Sequence, residues 1–264
     1  MTPVLHAEKI SVGYAGVPVV RDLDLSVAPG EIVAVLGANG AGKTTTLLGL
    51  AGALPLLAGS ITLDGRPLSG KLSRNARTGL GLLTDDRSVF RELTVMENLK
   101  LGTGRPEDAI AAFPALEALV DRKAGLLSGG EQQMLGLGRI IAARPKVLLA
   151  DELSLGLAPV IVQSLLTAVR RLADEGAAVV LVEQHVHLVL EIADRGVVLH
   201  RGKVVISESA EVLRRDGDRI ARAYLHTPEE SAAGDAGPGG TSDLPGHASG
   251  STALHHQVDE GVSP

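Results

Sequence analysis

The sequence predicts an α/β fold around a parallel sheet, on three observations. Ile32-Val-Ala-Val-Leu36 is a short β-branched apolar run, as in a buried strand. It feeds Gly37-Ala-Asn-Gly-Ala-Gly-Lys-Thr44, which fits G-x-x-x-x-G-K-[ST], and then Thr45–Ala51, which reads as a helix. Further on, apolar runs at 146–151 and 177–183 alternate with helical patterns near 159–175 and 185–194.

The remaining elements follow in chain order. Residues 4–31 hold two stretches of apolar–polar alternation closed by Pro29-Gly30, predicting an antiparallel element with one wet face. Gly59–Gly65 reads as a strand ending in an Asp-Gly turn. From 94 to 143 the period becomes helical, with Leu93, Val95, Met96 and Leu99 on one face and Ile110, Phe113, Leu116, Leu119 and Val120 on another. After the 185–194 helix, 197–206 reads as a hairpin turning at Arg201-Gly202, and 208–215 as a short helix. From Thr227 onward the chain is Gly, Ser, Pro, Ala and acid, a composition that predicts a disordered acidic tail over 227–264.

Composition removes several classes of function. Cysteine is absent, so thiolate metal sites, disulfides and thiol catalysis are excluded. No signal peptide is expected at the N-terminus, and the longest apolar stretch, 47–59, is too short to span a bilayer and contains Pro55. The net charge of −6 belongs to the tail: 227–264 carry six acidic residues and no Lys or Arg, leaving 1–226 with 25 residues of each sign. A neutral body with four aromatics (Tyr14, Phe90, Phe113, Tyr224) is a poor nucleic-acid surface, and no nucleic-acid partner is expected.

Three motifs carry chemistry. In the glycine loop, Gly37, Gly40 and Gly42 allow positive φ and close approach of backbone N–H groups to phosphate oxygens, at the positive end of the following helix. Lys43 adds a point charge, and the Thr44 hydroxyl is placed to bind magnesium. The apolar run Val147–Ala150 ends in Asp151-Glu152. A carboxylate at such a strand tip can hold magnesium, and strand alternation would send the next one to the opposite side, where it can orient a water. Lastly, Leu127-Ser-Gly-Gly-Glu-Gln-Gln133 has S-x-x-E capping spacing ahead of an amphipathic helix. Its two glycines in the first turn each cost up to ~1 kcal/mol against Ala, which argues for bare amides that bind an anion. Two phosphate-binding helix starts in one chain suggest two copies placed head to tail, each reaching the other's nucleotide.

GANGAGKT, LSGGEQQ and VLLADE in that order resemble the ATP-binding subunit of ABC transporters, over residues 4 to about 226. The resemblance implies a P-loop NTPase (RecA-like) α/β core, an antiparallel β subdomain and a helical subdomain inserted at about 88–143, together forming a domain over 1–226. It implies binding and hydrolysis of ATP with Mg2+. Gly37, Ala38, Asn39, Gly40, Ala41, Gly42, Lys43, Thr44 and Thr45 would surround the triphosphate, Tyr14 would stack on adenine, and Ser128, Gly129 and Gly130 would reach the γ-phosphate of a partner subunit. Thr44, Asp85 and Asp151 would hold magnesium. Glu152 would polarise the attacking water, assisted by Lys43 and Gln184, and Ser154 to Ala158 would link the two sites.

Some positions depart from the family pattern. Asp85 stands where a Gln is usual, Leu153 for Pro, Ala158 for the loop Asp, and Gln184 for the switch His, with His185 one place on. Together with Val89–Leu99, Glu131–Leu135, Ser154–Pro159, Val182-Glu-Gln184 and Glu191–Arg195, these departures resemble the branched-chain amino acid importer branch. That branch implies a second ABC ATPase subunit, transmembrane permease subunits and an external solute-binding protein, with this chain peripheral on the cytoplasmic side of the cell membrane. Amide and urea importers share much of the pattern. An exporter ATPase differs only in partner, and a soluble ABC-type ATPase acting on ribosomes or DNA would be expected to carry two cassettes or a coiled-coil insert.

Overall fold

The computed structural model describes residues 2–225. The predicted tail at 227–264 lies outside the described residues.

Two sheets organise the chain. β1 (Leu5–Tyr14), β2 (Val17–Val27), β4 (Leu56–Leu63) and β5 (Arg66–Pro67) form an antiparallel sheet in the order β2-β1-β4-β5, the wet-faced element expected from the alternation. The second sheet has the order β10-β9-β3-β8-β7-β6: β3 (Ile32–Leu36), β6 (Leu80–Leu83), β7 (Val147–Asp151), β8 (Ala178–Val182), β9 (Arg195–His200) and β10 (Lys203–Ser209). From β9 to β6 every pair is parallel, and only β10 runs antiparallel.

The parallel strands are buried on both faces, so they read as continuous apolar runs. Period-two alternation still sorts their side chains. Val33, Val35, Leu149, Val180 and Val182 face one core with Leu47 and Leu50 of α1 (Lys43–Ala51) and Leu5, Ile10 and Leu23 of the antiparallel sheet. Ile32, Ala34, Leu148, Ala150, Val179 and Leu181 face the other core, with Leu135 and Leu137 of α5 (Gly129–Ala142), Leu165 and Val169 of α6 (Pro159–Asp174) and Val189 of α7 (Val186–Ile192).

The helical stretch lies between β6 and β7, as expected. It holds α3 (Val95–Lys100), α4 (Pro106–Ala112), 3₁₀ turns at Pro114–Leu119 and Ala124–Leu126, and α5. Fully buried Phe113 and Leu116 close its core. Buried Asn98 folds the approach to α3: its carbonyl accepts from Phe90 N–H, and its amide donates to the Phe90, Leu93 and Thr94 carbonyls. Two helices escape the periodicity, α2 (Leu72–Arg77) and α9 (Gly217–Leu225), while α8 (Ala210–Arg215) falls within the expected 208–215.

Candidate active site at the ends of the parallel strands

Four neighbouring strands, β3, β8, β7 and β6, end side by side. Val35 and Asp151 both pair with Val182, and Leu83 pairs with Ala150. The register brings the residues after each strand to one edge of the sheet: the glycine loop after β3, Glu183 and Gln184 after β8, Asp151 and Glu152 at β7, and Thr84 and Asp85 after β6. The carboxyl edge of a parallel sheet is where such folds bind ligands.

The glycine loop has the backbone its sequence predicts, with φ of 156° at Gly37, 79° at Gly40 and 103° at Gly42. At Gly40 the conformation alone demands glycine, since a Cβ would meet nothing within 4 Å. At Gly42 a Cβ would also strike Val20 Cγ2 at 2.9 Å. Gly42 caps α1 without a side chain, so no side chain competes for the first-turn amides. The buried Lys43 ammonium donates to the carbonyls of Gly37 (2.9 Å) and Ala38 (3.2 Å) and so spans the loop. Burial pushes its pKa down, while the carboxylates of Glu152, Asp151 and Glu183 oppose the shift. The ammonium supplies positive charge at the loop, and the three carboxylates partly offset it, so a second cation beside them would favour an anion seated there.

Asp151 is buried beside Thr44, whose hydroxyl hydrogen-bonds its carboxylate. Its Oδ1 is fully buried without a hydrogen-bond partner. Burial raises its pKa, the Thr44 bond and Lys43 lower it, and the Glu152 and Asp85 charges raise it. An orphaned carboxylate oxygen beside a hydroxyl, near two further carboxylates, fits a hard divalent cation. Among the described residues no cluster of three or more His, Asp or Glu side chains forms a metal cage by itself. Magnesium needs no such cage, because it takes one or two protein ligands and completes its shell with substrate phosphates and water.

Strand alternation does not aim Glu152, contrary to the expectation. β7 stops at Asp151, and Glu152 adopts the left-handed φ of 47°. Such a backbone at a non-glycine residue costs of order 1–3 kcal/mol and persists where surrounding bonds over-determine it. Here Glu152 N–H donates to the Val182 carbonyl at 2.9 Å, and Gln184 Nε2 donates to Glu152 Oε1 at 2.6 Å. Gln184, rather than His185, therefore holds the carboxylate. The His185 ring turns aside, with Nδ1 2.9 Å from Ser154 Oγ.

Tyr14 ends β1 at the tip of the β1–β2 hairpin, 52% exposed. The β2 end of that hairpin packs Val19 and Val20 against Gly42. Ser128, Gly129 and Gly130 belong to the helical stretch, and the nearest neighbours of the two glycines are Arg87 and Ile161 rather than the Gly37–Thr44 loop. The capping box is fully made: Ser128 Oγ accepts from Glu131 N–H at 3.3 Å, and Glu131 Oε2 accepts from Ser128 N–H at 2.7 Å. Gly130 also has a packing reason, since a Cβ there would meet Ile161 Cγ2 at 2.9 Å. The glycine pair is thus no longer evidence of an anion site alone.

Arg87 escaped the sequence reading. From the loop after β6 its guanidinium donates to Gln132 Oε1 at 3.1 Å and lies against Gly129. Arg139 of α5 donates to the Ser88 carbonyl and stacks over Phe90. The loop after β6 is thereby latched to α5 near its start, at Gln132, and in its last turn, at Arg139.

The sequence profile of the ABC transporter family matches residues 20–154. Over 232 residues the chain is 38% identical to the high-affinity branched-chain amino acid transport ATP-binding protein BraG of Pseudomonas aeruginosa, covering 84% of this chain and 99% of that protein. It is 34% identical to the probable branched-chain amino acid transport ATP-binding protein LivF of Archaeoglobus fulgidus (80% and 94% covered) and 33% identical to the lipopolysaccharide export system ATP-binding protein LptB of Escherichia coli (84% and 96%). Among solved structures, the fold matches a nucleotide-free ATP-binding cassette from an ABC transporter with a TM-score of 0.75, at 22% identity over 86% of this chain and all of that one.

Proposed function

Since the chain belongs to the ABC transporter ATP-binding family and is an ATPase subunit of that family, we propose that it powers import of branched-chain amino acids or related solutes. The similarity to BraG and to the archaeal LivF supports this reading of the solute. The partners proposed are a second ABC ATPase subunit, identical or related, and transmembrane permease subunits fed by a solute-binding protein. No described helix is long and apolar enough to cross a membrane, so passage of the solute is assigned to those permeases, with this chain peripheral on their cytoplasmic side.

The observation that carries the mechanism is the convergence of Lys43, Asp151, Glu152 and Gln184 at one sheet edge. The glycine-loop amides and Lys43 bind the triphosphate and stabilise charge as the terminal phosphoryl group leaves. Thr44 and Asp151 would hold Mg2+, with Asp85 close by, and the ion would supply Lewis-acid stabilisation of phosphate oxygens. Glu152, fixed by Gln184, orients a water and accepts its proton. Tyr14 stacks on the base. Ser128, Gly129 and Gly130 serve the nucleotide of the partner subunit, through the first-turn amides of α5 rather than through a free serine hydroxyl.

The test is solute uptake into proteoliposomes holding this chain with its proposed permease subunits. ATP-driven uptake of leucine, isoleucine or valine is expected, and Glu152→Gln should abolish it while turnover falls about 10²–10⁴-fold. Full turnover in that variant rejects the assignment of Glu152. The similarity to LptB favours a second reading, an exporter ATPase; no amino acid uptake, with ATPase activity stimulated by a lipid-extracting permease, would select it.

A further inference from the structure

The turn that carries Glu152 is stitched to the end of β8. Glu152 N–H donates to the Val182 carbonyl (2.9 Å), Ser154 N–H donates to Glu183 Oε1 (3.0 Å), and Gln184 Nε2 donates to Glu152 Oε1 (2.6 Å). A fourth bond runs from the Ser154 hydroxyl to Glu183 Oε2 at 2.7 Å. Three consecutive residues, Val182, Glu183 and Gln184, therefore hold the backbone of Glu152, both donors of Ser154 and the carboxylate of Glu152.

His185 Nδ1 also approaches the Ser154 hydroxyl, at 2.9 Å. A hydroxyl has one proton, and here Glu183 receives it. His185 must then donate its Nδ1–H to Ser154 Oγ, which fixes the ring's tautomer. The result is a chain of donors, His185 to Ser154 to Glu183, crossing from the loop after β8 to the turn after β7 and back. Ser154 and Glu183 are 5% and 2% exposed. A pair this buried contributes little to stability beyond what an apolar pair would give, but it fixes geometry closely when every lone pair is met.

We infer that Ser154 is a positioning residue for hydrolysis: its hydroxyl, bridging His185 and the buried Glu183, sets the turn so that the Glu152 carboxylate meets Gln184. This rests on the reading of Glu152 given above. Without the hydroxyl, Glu183 Oε2 and His185 Nδ1 lose their shared partner, and the backbone of the turn is held to β8 only through the Val182 carbonyl and Glu183 Oε1. The nucleotide-binding loop is untouched by the change.

The full chain is assayed for turnover, for ATP affinity with a fluorescent analogue, and for the side-chain amide resonance of Gln184. Ser154→Ala should lower kcat about tenfold to a hundredfold, the effect of a displacement near 1 Å. It should leave ATP affinity within about twofold, because it removes no group that binds the ground state. The Gln184 resonance should move toward its position in Glu152→Ala. Ser154→Thr, which keeps the hydroxyl, should restore both readouts. His185→Phe changes an exposed side chain, does not threaten folding, and should lower kcat in the same sense by about threefold through loss of one hydrogen bond. Wild-type kcat in Ser154→Ala, an equal loss of ATP affinity, or a threonine variant as impaired as the alanine one would overturn the inference. Turnover intact in Glu152→Gln rejects the assignment of Glu152 itself. An unmoved Gln184 resonance in Ser154→Ala, with Glu152→Gln inactive, rejects only the role of Ser154.

Discussion

Gln184 Nε2 lies 2.6 Å from Glu152 Oε1, a hydrogen bond between residues that follow adjacent strands of the parallel sheet. It gives the carboxylate one orientation without a titrating partner, because an amide donor carries no ionisable proton. Removing it should cost what a hydrogen bond to a charged group contributes, roughly 1.5–3 kcal/mol. Gln184→Ala should therefore lower kcat about 10–150-fold with ATP affinity unchanged. A steady-state assay checks this, and a rise in KM at constant kcat would place Gln184 in binding instead.

Lys43 spans the glycine loop through the Gly37 and Ala38 carbonyls. Lys43→Ala removes the charge proposed to meet the terminal phosphates. Equilibrium binding should weaken by about 1.5–3 kcal/mol. An affinity equal to that of the wild type would contradict the reading of the loop.

Gly130 separates packing from anion binding. A methyl group there must displace Ile161, whose β-branch leaves little freedom. Gly130→Ala should be destabilising by about 1 kcal/mol net, the overpacking exceeding the gain in helix propensity. In an Ile161→Ala background the penalty should disappear, read from urea denaturation of the double-mutant cycle. Gly129→Ala meets only the far end of the long Arg87 side chain, which needs to give by a few tenths of an ångström, and should change stability by less than about 0.5 kcal/mol. Equal penalties at both positions would contradict the packing account.

Glu183 predicts a pH signature. Burial holds its carboxyl above the usual range, against the opposing Ser154 bonds and the nearby His185, and Lys43 is the other charge it faces. The native state therefore takes up the proton more readily than the unfolded chain. The contribution to stability is full below the unfolded value of about 4.3 and is lost as pH rises through the raised native value. Glu183→Gln should flatten that part of the stability–pH curve, measured by urea midpoints. An unchanged slope would contradict the assignment.

The sequence carried the fold wherever information was local. The apolar run Ile32–Leu36 and the glycine loop sit where their pattern put them, and the hairpin turns at Arg201-Gly202 as read. What stayed hidden was non-local. The Arg87 bond to Gln132 joins residues 45 apart, and Ser154 meets Glu183 across 29. No periodicity encodes such pairs. The left-handed turn at Glu152 was hidden for the same reason, since its support comes from β8 and not from its own neighbours. α2 is a single short helix with one buried residue, Asn75, so it has no apolar stripe to read. Asp151 and Glu152 were legible as a pair, but only the structure gives them different partners, Thr44 and Gln184.

Gly37–Thr44 of one protomer and Ser128–Gly130 of another are proposed to clasp one triphosphate between them. Light scattering on purified Glu152→Gln protein, alone and with its sister ATPase, with and without magnesium-ATP, tests this most directly. A nucleotide-dependent dimer is expected, which Ser128→Arg abolishes while ATP binding persists. A protein that binds magnesium-ATP yet stays monomeric under both conditions would contradict it.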